Sequence, residues 1–252
     1  MRNRLDHRIF VLLLAGLILA GISVSCSSTQ RIDLRLSGAG SARAVIRLSP
    51  VLVSYLQDLA ATVSGSAPAK DRPIFDLAAL RAAFARYPEL SLVDAATPSI
   101  DTLSLTVQFA DAANVLSGVG ADAGTADFVS FRADGPVRTL SIRLDRSVVG
   151  RLLQLTPLAG SVAGNVLLPP EDAPMSEGEY TSYLAWALED YAVGKDITRT
   201  ISDSRVEVRI AIEGTLISVD GGRQEGNSAL FSIPVVRLLT LTKPLVYTIT
   251  FR

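Results

Sequence analysis

Residues 1–28, MRNRLDHRIFVLLLAGLILAGISVSCSS, constrain the chain more than any later stretch, because they set the compartment in which the remainder must fold. Arg2, Arg4 and Arg8 form a basic start, Ile9 to Ile22 is unbroken apolar or small, and Ser23-Val24-Ser25 is a small-residue cleavage site before Cys26. Three readings compete. A transmembrane anchor needs about 20 apolar residues, and this run is shorter. A secretory signal cleaved before Cys26 fits, yet leaves a free thiol in an oxidising compartment. In the third reading Cys26 accepts lipid.

The segment resembles the signal peptide of bacterial lipoproteins, in which the cysteine becomes the diacylated first residue of the mature chain. Ser23 departs from that pattern, which usually has Leu, Val or Ile there. The resemblance implies lipidation at Cys26, palmitate among the acyl groups, and a place on the extracytoplasmic face of the cell or outer membrane. It divides the chain into a signal peptide at 1–25, a lipidated polar tether at 26–30 and one extracytoplasmic domain at 31–252.

Removing residues 1–25 from the 252 leaves 227, enough to bury on the order of 70% of the unfolded surface without disulfides or metal. Of 24 basic and 25 acidic residues, subtracting Arg2, Arg4, Arg8 and Asp6 leaves 21 and 24. A mildly acidic chain argues against a nucleic-acid partner. No run of Lys or Arg is present to hold anionic headgroups, so membrane attachment is assigned to the acyl chains.

His7 and Cys26 are the only histidine and cysteine. Cleavage removes the first and acylation consumes the second. Ser-His-Asp and Cys-His nucleophiles, zinc sites and iron-sulfur clusters therefore lack their bases or ligands. The expectation is a protein that is not an enzyme and carries no cofactor or metal. The runner-up is a carboxylate-dependent glycan hydrolase drawing on Asp122, Asp127, Asp134, Glu171 and Asp172.

Alternation of period two marks strands. It appears at Arg31 to Leu36, returning through Gly38-Ala39-Gly40-Ser41 into Arg43 to Leu48, a hairpin with an arginine-rich outer side. Gly38-x-Gly40 precedes a strand, so it reads as a turn rather than a phosphate loop. Leu103 to Phe109 alternate likewise, and Val129 to Leu144 form a second hairpin around Asp134-Gly135. The last 48 residues read as all-β: Val206 to Ile212, Leu216 to Val219, a loop at 220–227, Ala229 to Ile233 and Leu245 to Phe251.

Helical spacing follows three caps. Ser49-Pro50 opens a helix carrying Leu52, Tyr55, Leu56 and Leu59; Asp76 opens one carrying Leu77, Leu80, Phe84 and Tyr87, stopped by Pro88. Ser176-Glu177-Gly178-Glu179 is a capping box, and the helix beyond it sets Tyr180, Tyr183, Leu184, Leu188 and Tyr191 on one stripe beside Trp186, with Gly194 as its stop. The fold expected is α+β, a curved, mostly antiparallel sheet with about three amphipathic helices on one side; the alternative is an all-β barrel-like fold.

Residues 148–170 are apolar and small-residue-rich, interrupted by Pro157. They read as a buried helical turn and its connection, or as a flap over a cavity or a lip on the bilayer. The stripe likewise reads first as core. Should a ligand bind, Tyr180, Tyr183 and Trp186 with Leu152 and Leu155 are the candidate lining.

Cys26, the Gly38-Ala39-Gly40 turn and Gly214 to Phe251, with Gly226-Asn227 before Phe231, together resemble the LppM-like group of envelope lipoproteins. That resemblance implies lipid or glycolipid binding without a catalytic motif. The functional expectation is a lipid-anchored cell-envelope protein acting as a binding or structural module, its ligand a lipid or glycolipid. Protein partners are not indicated.

Overall fold

A computed structural model describes residues 26–65, 73–85, 90–112, 129–154, 167–169, 173–192, 194 and 196–252. Among them are eleven strands in two sheets, and six helices.

The first strand, β1 (Cys26–Leu34), pairs antiparallel with β2 (Gly40–Leu48) and parallel with β7 (Arg205–Ile212). On the β2 side follow β4 (Thr102–Phe109) and β3 (Leu90–Ser99); on the β7 side follow β10 (Ser228–Pro234) and the short β9 (Arg223–Glu225). This seven-stranded sheet is antiparallel except at β1–β7. A second antiparallel sheet runs β5 (Val129–Asp134), β6 (Val137–Leu144), β11 (Leu245–Phe251), β8 (Leu216–Asp220). Neither closes into a barrel, so the α+β expectation holds and the barrel alternative does not.

The alternation seen in the sequence sets the faces. Ala42, Ala44, Ile46 and Leu48 of β2, Leu103, Leu105 and Val107 of β4, and Val206, Ile210 and Ile212 of β7 are buried in one core shared with the helices. Burial of a Leu or Ile side chain contributes roughly 1.5–3 kcal/mol, and Ile46 and Ile210 of this face are fully buried.

The three capped helices form where expected. In α1 (Pro50–Ser64) the Ser49 hydroxyl accepts the Leu52 amide at 3.2 Å. In α2 (Leu77–Phe84) Asp76 Oδ1 accepts from Ala78 and Ala79 at 2.9 and 3.0 Å. Tyr87 and Pro88 lie outside the described residues. Helix α3 (Arg146–Gln154) opens the apolar segment read as a helical turn, and two further helices were not expected: α5 (Ile197–Asp203) and α6 (Val235–Leu239). The last corrects the all-β reading of the C-terminal stretch. Val-Val-Arg-Leu-Leu is a short apolar run whose periodicity does not separate helix from strand, and four of its five residues are buried.

Two other readings are corrected. Residues 26–30 are no tether: they are the first half of β1, with Ser28 and Gln30 buried and 26–30 paired to Leu48 through Ala44. The loop at 220–227 contains β9. The chain passes there from one sheet to the other through Gly221 (φ 79°) and Gly222, where a β-carbon on Gly221 would lie 2.5 Å from the Val246 carbonyl and one on Gly222 2.5 Å from the Phe231 ring. Only glycine fits either position.

Candidate functional site

The aromatic helix, α4 (Glu177–Ala187), starts with a complete capping box: the Ser176 amide donates to Glu179 Oε2 at 2.8 Å and the Glu179 amide to Ser176 Oγ at 3.3 Å. The bond from the Ser176 amide holds the Glu179 carboxyl below its ordinary pKa. The helix ends at Ala187, earlier than Gly194, because Leu188 turns into a single 3-10 turn at Glu189–Tyr191.

The stripe divides by depth. Tyr180, Leu184 and Leu188 are fully buried, and α4 packs on α5 and α6. The Tyr180 hydroxyl donates to the Leu167 carbonyl. Burial drives that phenol far above its usual range, so it stays a neutral donor. Tyr183 is half-buried, 6.4 Å from the Tyr180 ring and nearly parallel to it at 19°. Trp186, one further helical step on, lies 6.1 Å from Tyr183 and is 70% exposed. Spacing of three residues keeps each ring over the next, so the helix carries an aromatic ladder from core to solvent.

The apolar segment reaches this ladder at one end. Asp145 caps α3, accepting the Val148 amide at 2.9 Å, and Val148 and Val149 are buried; α3 and α4 both pack on α6. Residues 155–166 lie outside the described residues, Leu155 among them, as does the side chain of Leu152. The segment returns at buried Leu167, under Tyr180. Among the described residues Tyr180, Tyr183 and Trp186 lie together on α4, and Leu167 joins them through the Tyr180 hydroxyl. Sequence reasoning passed over Leu167 because nothing local couples it to a residue 13 positions on.

Of the carboxylates considered for hydrolysis, Asp134 is exposed at the β5–β6 turn, while Asp122, Asp127, Glu171 and Asp172 lie outside the described residues. Cys26 occupies the first position of β1, opposite Leu48. At the opposite end of β1 an open depression of about 680 Å³, with Asp33, Arg35, Gln108 and Glu213 beside Leu34 and Ile212 in its lining, shares no residue with the ladder. Among the described residues no helix is long and apolar enough to cross a membrane.

No protein-family model and no curated protein matches the chain. Its structure is similar to the NMR structure of the folded domain of LppM from Mycobacterium tuberculosis, with a TM-score of 0.40 and 13% identity over 91% of each chain.

Proposed function

We propose that this chain is a lipid-anchored cell-envelope protein, held at Cys26, whose extracytoplasmic domain is a binding module for a lipid or glycolipid taken at the exposed end of α4. The observation that carries the reading is the ladder. Trp186 stands 70% exposed on a helix whose inner rings are fixed, against the returning end of an apolar segment. An amphipathic ring held rigidly at the surface suits a ligand with one apolar and one polar end. Lipid anchoring accounts for the N-terminal segment and for the single cysteine.

Trp186 is the only tryptophan, so its emission reports this site alone. The test is native mass spectrometry of the protein extracted from its own membrane, followed by titration of the delipidated protein with the recovered amphiphile. A co-purifying lipid or glycolipid and a blue shift of Trp186 emission are expected. Absence of any adduct, with unchanged emission, removes the binding half and leaves an anchored structural module.

A further inference from the structure

The arginines of the seven-stranded sheet are scattered in sequence and gathered in space. Strand register sets Arg43, Arg31 and Arg209 side by side on β2, β1 and β7, in one row on the face opposite the helices. Adjacent strands lie about 4.8 Å apart, so these are directly opposed like charges, an arrangement that costs stability. Two residues beyond Thr29, toward Cys26, Ser27 is flanked by Arg47 and Arg205 in the same way. Arg31 is neutralised by Asp33 at 3.0 Å and Arg209 by Glu225. Arg43 and Arg205 form no salt bridge with any described residue, and Arg47 has only the longer-range field of Asp101; all three are exposed. Around them the face carries Ser27, Thr29, Ser104, Thr106 and Ser232, the apolar Val45 and Leu230, and two exposed carboxylates, Glu207 opposite Thr29 and Asp94 opposite Thr106.

We propose that this outer sheet face is a docking surface for an anionic phospholipid bilayer. Arg43, Arg47 and Arg205 outnumber the two carboxylates of the face that form no salt bridge with any described residue, Glu207 and Asp94, which leaves a modest charge complementary to headgroup phosphate. Arginine pairs with phosphate in bidentate fashion, and the hydroxyls between add donors. A bilayer fits better than a polymer because the face is broad and begins one residue from Cys26, with no tether between anchor and sheet. In this respect the proposal rests on the anchoring reading above. Acyl chains hold the protein at the membrane, and the arginines turn this face toward it.

The test uses the full chain reconstituted in nanodiscs of phosphatidylcholine alone or with phosphatidylglycerol, with phenylglyoxal modification of arginine read by mass spectrometry. Each basic residue near an anionic surface is worth about fivefold in binding, so Arg43, Arg47 and Arg205 should react about fivefold slower or less on the anionic discs. Exposed Arg132 and Arg237, on other elements, should not change. The protection should vanish at about 1 M salt, where the Debye length is about 3 Å. Arg43→Glu with Arg205→Glu, both at exposed positions, should abolish protection of Arg47 while the circular dichroism stays that of the native chain. Equal reaction rates on both discs would overturn the proposal, as would protection by a soluble polyanion with none by discs. Anchoring is read separately, from co-elution with the neutral discs: a chain lost from those but protected on anionic ones refutes the anchor and supports the face.

Discussion

Asn227 Oδ1 accepts the backbone amide of Leu216 at 2.9 Å, which couples the tip of β10 to the first residue of β8 in the other sheet. Its Nδ2 donates to the carbonyls of Ile212 and Gly214. One side chain thus satisfies three backbone groups where the chain leaves β7 and changes sheets. Asn227→Ala leaves them unpaired and should cost about 1–3 kcal/mol for each group that water does not reach. Urea denaturation measures it; a loss under a few tenths of a kcal/mol would mean solvent replaces the bonds.

Tyr180→Phe tests the contact between α4 and the apolar segment. It keeps the ring and removes the only hydroxyl that reaches the buried Leu167 carbonyl among the described residues, so a loss of about 1–3 kcal/mol is expected. Tyr180→Ala also opens a cavity and should cost about 3–5 kcal/mol. Equal midpoints for wild type and Tyr180→Phe in thermal unfolding would show that the bond contributes nothing net.

Gly214 has φ 119°, and a β-carbon there would lie 2.5 Å from the Arg252 carbonyl, which accepts the Thr215 amide at 2.6 Å. Gly214→Ala should lower stability by on the order of 1–3 kcal/mol from backbone strain, with the clash adding to it. A rise in hydrogen exchange over wild type at Thr215 and Arg252, larger than within β8 and β11, is the local signature.

Asp145 titrates below the ordinary aspartate range, first because the Val148 amide donates to it and next because the Ser147 hydroxyl does. A folded pKa below the unfolded one means that its contribution is present above about pH 4 and disappears as pH falls through the folded value. Asp145→Ala should therefore cost about 1 kcal/mol at neutral pH, the usual worth of a cap. The gap between variant and wild type should close on acidification. Unfolding free energies from pH 7 to pH 2 check this, and a gap independent of pH would exclude the carboxylate as its source.

Cys26→Ser should release the protein from membranes and abolish labelled palmitate incorporation, since two acyl chains are needed for firm anchoring. The fold should persist, because Ser28 and Gln30, which hold the start of β1 in the core, are untouched. A variant processed to mature size that still sediments with membranes would assign the contact to another surface, either 148–168 or the arginine face.

Local chemistry was readable from the chain. Ser49, Asp76 and Ser176 announced three helices, because a cap is one side chain bonding an amide two or three residues away. Period two in β2, β4, β7 and β10 separated buried from wet faces, because side chains alternate along any strand whatever its partner. The ladder's residue types were visible as well, whereas which ring is buried and which is exposed depended on the elements packed against α4.

Beyond the two hairpins, β1–β2 and β5–β6, tertiary structure alone decided the pairings. Cys-Ser-Ser-Thr-Gln has no apolar alternation and reads as a tether, yet pairing on both sides with β2 and β7 satisfies its backbone and buries Ser28 and Gln30, whose side chains lie 3.4 Å apart. A polar stretch becomes a central strand when neighbours supply the hydrogen bonds, and those neighbours are far off in sequence. The arginine row arises the same way. Arg31 and Arg43 belong to the hairpin read with an arginine-rich outer side, but only the parallel register of β1 with β7, nearly 180 residues apart, adds Arg209 to their row.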